Sequence, residues 1–354
     1  MRFLGFCFDM GDPPSTFISG YRDESMCTKM KYNDLGKTGM KVSKLGLGCS
    51  AFGGVYGTVD EQECYDIIEY CLKNGINYID TAPWYGNSEQ VIGRGLTAKK
   101  IPRNTYYIAT KVGRYPDGGV KDMFNFTKER VEKSIEESLK RLCVDYIDLV
   151  QVHDMEFAPS LDIIINETLP ALNEAKKKGL IRHIGITGYP LDVLESVLKR
   201  STVEIDTILS YCRYSMNDTS LLDYLPFFKS QGVGIINASP NSMGLLSSDG
   251  PPDWHPADDT IKNMCGQALQ YAKSNSVPAA KLALDFSCSH PDVHTTLVSA
   301  SRMDYMKSNL HVILNGVTDH EKKVQQEMRT KYFIPLKNHN WEGVEVAKYR
   351  AEIG

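Results

Sequence analysis

Lys128-Glu129-Arg130-Val131-Glu132-Lys133-Ser134-Ile135-Glu136-Glu137-Ser138-Leu139-Lys140-Arg141-Leu142, followed after three residues by Tyr146-Ile147-Asp148-Leu149-Val150-Gln151-Val152-His153, is the stretch from which the fold is read. In its first half Val131, Ile135, Leu139 and Leu142 recur at helical spacing, and Lys128, Glu132, Glu136 and Lys140 face the other way. That pattern predicts a helix with one side against a core. The second half is a short β-rich run that ends in a histidine. The same alternation repeats outward from this unit. Strands are expected at Leu45–Gly48, Tyr78–Asp80, Tyr107–Lys111, Tyr146–His153, His183–Thr187, Thr207–Leu209, Gly234–Ala238 and Thr296–Val298. Between them Asp60–Asn74 reads as a helix stopped by Gly75, and Leu191–Arg200 as one started by Pro190. Strands alternating with helices predict parallel strands joined by crossovers. Eight such units predict an α/β fold in which one (β/α)₈ barrel closes on itself. Ahead of it, Lys31–Leu35 and Lys41–Lys44 flank Gly36-Lys37-Thr38-Gly39 and read as a β-hairpin.

The 354 residues, 42% hydrophobic and 24% charged, are an ordinary globular composition and enough to bury a large core. Residues 30–331 read as the single barrel domain, 1–29 as a loose N-terminal extension and 332–354 as a tail near the barrel mouth. A net charge of −4 gives no electrostatic case for nucleic acid or an anionic membrane surface as partner. Met1–Phe8 is too short and too close to Asp9 and Asp12 for a signal peptide or a membrane span. The nine cysteines are odd in number, irregularly spaced and form no C-x-x-C pair. This argues against a disulfide framework or a zinc site and for a reducing, cytoplasmic location.

Barrels of this kind carry their chemistry at the C-terminal ends of the strands. Asp80 ends the second predicted strand, Tyr85 lies in the loop beyond it, Lys111 ends the third and His153 the fourth. Taken singly, each has a plain structural reading: a helix cap, packing, a snorkelling lysine, a satisfied histidine. Together they form a chemical set. A tyrosine hydroxyl, with a pKa near 10, is a poor acid or base at neutral pH, and a neighbouring Lys⁺ lowers that value. Asp80 can hold the lysine, and His153 can donate a hydrogen bond to a carbonyl oxygen. Such a site protonates an oxygen while a hydride arrives from elsewhere.

Tyr78-Ile79-Asp80-Thr81-Ala82-Pro83-Trp84-Tyr85-Gly86, Ile108-Ala109-Thr110-Lys111-Val112-Gly113 and the 139–153 stretch resemble the signatures of the aldo-keto reductase superfamily. Gly179–Thr187 fits as its fifth strand. The resemblance covers about 31–331. It implies Asp80, Tyr85, Lys111 and His153 as a catalytic tetrad and NADP(H) or NAD(H) as cofactor, with the choice open. The cofactor contacts it implies are Thr187, Ser210, Ser239, Met243, Gly244, Leu245, Ser299, Ser301, Arg302 and Asn309. Several depart from the common pattern. Thr187-Gly188 stands where many members have Ser-Asn, Ser210 where they have Gln, and Ala238 where they have a stacking aromatic. Ala300 takes the place of a phosphate-binding lysine, which leaves Arg302 as the one nearby guanidinium able to favour NADP. These departures resemble the sugar-dehydrogenase branch, typified by L-galactose and D-arabinose dehydrogenases. A small-molecule carbonyl or sugar is therefore the expected partner, with Phe52, Trp84 and Asp154 as candidate pocket residues and Arg213 beside Asp154. The short loop Asp154–Ser160 is expected to leave its side of the mouth open, and no metal is expected. A general aldehyde or ketone reductase is the alternative. A nicotinamide-sensing regulatory subunit, like those of potassium channels, is the alternative from another class. Oligomeric state is not readable from the sequence.

Overall fold

The computed structural model of the chain describes residues 13–55, 57–116 and 119–354. Met1–Phe8 and Tyr56 lie outside them. Among the described residues there are ten strands: β1 (Tyr32–Asp34), β2 (Lys41–Ser43), β3 (Leu45–Gly48), β4 (Tyr78–Asp80), β5 (Tyr107–Val112), β6 (Ile147–Val152), β7 (Ile181–Gly188), β8 (Thr207–Tyr211), β9 (Gly234–Ala238) and β10 (Thr295–Ser299). β1 and β2 pair antiparallel as the hairpin. The other eight close in sequence order, β10 pairing with both β9 and β3, and every barrel pair is parallel.

The period-two pattern of the strands sorts two cores. Tyr78, Ala109, Leu149, Leu209, Ile236 and Leu297 point inward and pack with Leu35, Met40 and Val42 of the hairpin, which floors the barrel. Their neighbours Ile79, Ile108, Val150, Ile186, Ile208, Ile235 and Val298 point outward into the layer shared with the helices. Each such side chain contributes about 1.5–3 kcal/mol by leaving water. The hairpin turn depends on Gly36, whose φ is 56°. A Cβ there would lie 2.3 Å from the Gly234 nitrogen, so any side chain would push the floor off β9.

The helix read from the opening stretch spans Lys128–Leu142, with Thr127 accepting from the Arg130 N–H as its cap. Its apolar stripe, Val131, Ile135 and Leu142, is buried against the barrel. Helices Glu61–Lys73 and Leu191–Arg200 likewise follow the pattern that predicted them, and Asp60 caps the first. The expectation of a loose extension does not hold for residues 13–29. A helix spans Glu24–Lys29, and buried Arg22 donates to the carbonyls of Thr16 (2.9 Å), Leu72 (2.6 Å), Ile76 (3.1 Å) and Thr105. One guanidinium thus satisfies backbone groups from three parts of the chain, a role that polar composition does not reveal. At the other end the tail crosses the mouth. Trp341 stacks on Tyr189 with ring centroids 5.0 Å apart, and a helix spans Val344–Ile353. Among the described residues no helix is long and apolar enough to cross a membrane.

Candidate active site

Four side chains meet at the C-terminal mouth because consecutive parallel strands end side by side. Asp80 closes β4, Lys111 lies one residue short of the end of β5, and His153 follows β6 directly. Tyr85 comes from the turn after β4. Gly53 permits that turn to lie where it does, since a Cβ at 53 would overlap the Tyr85 carbonyl oxygen at 1.6 Å.

Lys111 and Asp80 form a buried ion pair, and Lys111 also donates to the Thr81 carbonyl at 2.8 Å. The second Asp80 oxygen accepts from Gln151 Nε2 at 2.8 Å. The ammonium lies 5.0 Å from the centre of the Tyr85 ring. The His153 ring stands edge-on to the same ring at 5.7 Å. Burial pushes the Asp80 carboxyl above the ordinary range, against the pull of Lys111 and Gln151. Burial works against the lysine charge too, but Asp80 and Tyr85 together hold Lys111 above its ordinary value. Burial also raises the Tyr85 phenol, and Lys111 draws it back. His153 is pushed down to about 3, chiefly by burial, with Lys111 and Arg114 acting the same way and Asp154 opposing. At neutral pH the set is therefore a protonated phenol beside a fixed cation and a neutral imidazole. That arrangement can pass a proton to or from an oxygen placed between Tyr85 and His153.

The expected pocket residues separate. Trp84 is half-buried at the mouth, and the Arg114 guanidinium lies 4.3 Å from its ring centre. Phe52 is buried in the hydrophobic core. Asp154 is buried beside His153, with Oδ2 3.6 Å from Nε2. Its ion partner is Arg114 at 2.7 Å, whereas Arg213 pairs with Glu342 at 3.1 Å and Asp218 at 3.4 Å. The side of the mouth expected to be open is roofed. Phe157 stacks on Phe124 at 4.3 Å, and Tyr349 of the tail meets both edge-on.

Of the expected cofactor residues, Thr187 accepts from the Asp154 N–H at 3.2 Å, and Ser299 accepts from the Ala51 N–H at 2.9 Å. The Ser210 hydroxyl is buried with no partner among the described residues. After β9, Ser239, Ser242, Met243 and Gly244 all have positive φ, while Leu245 is buried behind them. Within this turn the N–H groups of Ser242, Gly244 and Leu245 donate to the carbonyls of Ser239, Asn241 and Ser242. Ser301 and Asn309 are half-buried on the loop and helix after β10. Arg302 is exposed and ion-paired with Asp304 at 2.6 Å. The helix N-terminus beside it is taken by a carboxylate: the Met303 N–H donates to Glu63 Oε1 at 2.7 Å.

Residues 44–327 match the family model described as aldo/keto reductase family. The chain belongs to the aldo/keto reductase family. It is accordingly an oxidoreductase of carbonyl and alcohol groups that works with a nicotinamide dinucleotide. This aldo/keto reductase is 45% identical over 289 residues to L-galactose dehydrogenase of Arabidopsis thaliana, covering 81% of this chain and 89% of that one. It is 36% identical over 261 residues to D-arabinose 1-dehydrogenase of Saccharomyces cerevisiae, covering 70% and 76%. Among solved structures it resembles an aldo-keto reductase from Bacillus halodurans in its holo form, with a TM-score of 0.68, 31% identity and coverage of 84% and 96%.

Three site residues escaped the sequence reading. Gln151 was legible in principle, because it shares the inward face of β6 with Leu149. Arg114 and Glu63 were not, since each acts across the fold on a residue from another loop.

Proposed function

We propose that this aldo/keto reductase oxidises a free aldose at its anomeric carbon to the lactone. Asp80, Tyr85, Lys111 and His153 carry the proton chemistry, and the compartment is the cytoplasm. The observation that carries the catalytic reading is the buried Asp80–Lys111 pair set against the Tyr85 ring with His153 edge-on to it. A bound nicotinamide would supply the hydride exchange at C1. Tyr85 takes the hydroxyl proton on oxidation and gives it back on reduction, and Lys111 stabilises the phenolate between those events. Asp80 keeps Lys111 charged and in place. Neutral His153 donates to the substrate oxygen and holds it toward Tyr85. The aldose reading is supported by the similarity to two sugar dehydrogenases and by the charged pair Asp154–Arg114 inside the mouth. The cytoplasmic reading is supported by the eight described cysteines, all of them free thiols.

The test is a panel of free aldoses with NAD and NADP, run beside small aldehydes with NADH and NADPH. Lactone formation from an aldose is expected. Reduction of aldehydes with no sugar oxidation under either cofactor removes the aldose reading and leaves a general reductase.

A further inference from the structure

Asp154 sits next to the histidine of the tetrad in a conformation that few side chains adopt. Its φ and ψ are 50° and 57°, left-handed for a non-glycine residue. Such a conformation persists only where the surroundings fix it, and it commonly marks a functional site. Here its N–H is held by the Thr187 hydroxyl, and the side chain is held by Arg114. Arg114 uses one nitrogen, Nη1, on Asp154 Oδ2. The guanidinium is in turn packed over Trp84 at 4.3 Å and Phe124 at 5.1 Å. The side chain is 5% exposed, its bond to Arg114 uses Oδ2, and Oδ1 is not among the buried unpartnered atoms, so it keeps access to the mouth. An accessible acceptor beside the catalytic histidine is a place where a donor from a bound molecule can rest.

The position of that open acceptor defines what fills it. Oδ2 of the same carboxylate is 3.6 Å from His153 Nε2, so carboxylate and imidazole border one space. The two oxygens of a vicinal diol, or of an α-hydroxy carbonyl, lie about a hydrogen-bond length apart. A substrate whose reacting oxygen rests against Tyr85 and His153 thereby brings the oxygen on its next carbon to Asp154. An ionised carboxylate only accepts. Burial opposes the Asp154 charge and neighbouring positive charge outweighs it, so the carboxyl lies below the usual range; with His153 neutral, Arg114 is the cation paired with it at neutral pH.

We propose that Asp154, locked by Arg114, is the residue that reads the neighbouring carbon, selecting substrates with a hydroxyl there and rejecting those with a carbonyl. The hydroxyl donates to Oδ1. A carbonyl offers only lone pairs to a carboxylate, which is repulsive, and a methylene leaves the acceptor unfilled. The site thus takes α-hydroxy aldehydes and their cyclic aldose forms over α-dicarbonyls and plain aldehydes. This deepens the aldose reading by naming the residue and the hydroxyl, but it can stand without an aldose as the substrate.

Three aldehydes of one carbon skeleton test it: lactaldehyde, propanal and methylglyoxal, with hydroxyl, methylene and carbonyl at the second carbon. In each reduction the aldehyde carbon gains a hydride from the reduced nicotinamide and its oxygen gains the Tyr85 proton. The ratio of kcat/KM for lactaldehyde to that for methylglyoxal is measured in the wild-type holoenzyme and in Asp154→Asn, whose amide can donate to a carbonyl. The ratio is expected to fall by about ten- to a hundredfold in the variant. Asp154→Ser, with melting temperature checked, should move it the same way. An unchanged ratio, an equal loss on all three aldehydes, or no turnover of lactaldehyde by the wild type overturns the proposal. Free aldoses form a separate arm. Loss of the lactaldehyde preference in Asp154→Asn, with no aldose oxidised by the wild type, supports the hydroxyl reading and removes the aldose one. Equal oxidation of aldoses by wild type and variant overturns the role of Asp154 and leaves the aldose reading in place.

Discussion

Replacing Lys111 by Met separates the two roles assigned to that side chain. In the folded chain Lys111 pairs with Asp80, and both are nearly devoid of solvent contact. Removing the ammonium leaves a buried carboxylate whose remaining hydrogen-bond partner among the described residues is Gln151. Breaking a buried pair from one side costs about 3–5 kcal/mol, whereas replacing both partners by neutral groups is often nearly neutral. Lys111→Met is therefore expected to lower the urea midpoint clearly, and Asp80→Asn with Lys111→Met to recover most of it. Activity should follow a different course. At the 5.0 Å separation of Nζ from the Tyr85 ring centre, with an effective dielectric constant of about 20, one charge acts on the phenolate with about 3 kcal/mol. That corresponds to about two pKa units on the proton donor. Loss of a tuned acid–base group typically costs about 10²- to 10⁴-fold in rate, and neutralising Asp80 cannot restore it. Urea unfolding and initial rates on the same preparations decide the matter. A Lys111→Met enzyme as stable as wild type, or a double variant that regains activity, would refute the assignment of a structural pair and a catalytic cation to one residue.

Three further outcomes are expected. His153, ordinarily near 6.5 and here pushed down to about 3 by burial, is neutral when folded and takes up a proton on unfolding between those values. Its contribution to stability is complete above about pH 6.5 and is lost as pH falls toward 3, with a slope approaching 1.4 kcal/mol per pH unit. His153→Gln should flatten that acid limb in urea titrations at several pH values, and an unchanged limb contradicts the neutral imidazole. NADH should bind more tightly than NADPH, because Glu63 occupies the Met303 N–H and Arg302 is taken by Asp304. Glu63→Gln should narrow the gap by about tenfold, as expected for relief of one charged contact, in a fluorescence titration of the two coenzymes; equal wild-type dissociation constants contradict this. Arg22→Ala removes a guanidinium that serves four backbone carbonyls and should cost about 2–4 kcal/mol. It should lower the melting temperature by several degrees with turnover per folded molecule preserved, and a melting temperature within a degree of wild type contradicts the structural role of 13–29.

The barrel was legible because two periodicities write it. Lys128–Leu142 alternates at 3.6 and the strands at 2.0, and burial on both faces of β6 leaves an apolar run that ends at the mouth. Strand ends therefore place Asp80, Lys111 and His153 from the sequence pattern alone. The residues that hold them were not legible in the same way. Gln151 reaches Asp80 across two strands, and Arg114 reaches Asp154 from the neighbouring loop. A contact of that kind follows from strand register and loop path, which no local pattern encodes. The N-terminal segment misled for the same reason. The segment reads as a loose extension, but Arg22 ties Thr16 to the distant backbone at Leu72, Ile76 and Thr105.

The central claim is that Tyr85 moves the proton while Lys111 tunes it and the nicotinamide site stands independently. Tyr85→Phe removes one hydroxyl from a ring set between Lys111 and His153 and leaves the ring's packing in place. Turnover of a confirmed substrate is expected to fall by about 10²- to 10⁴-fold or more, with the dissociation constant for reduced coenzyme unchanged. Turnover close to wild type on that substrate, with coenzyme still bound, contradicts the account.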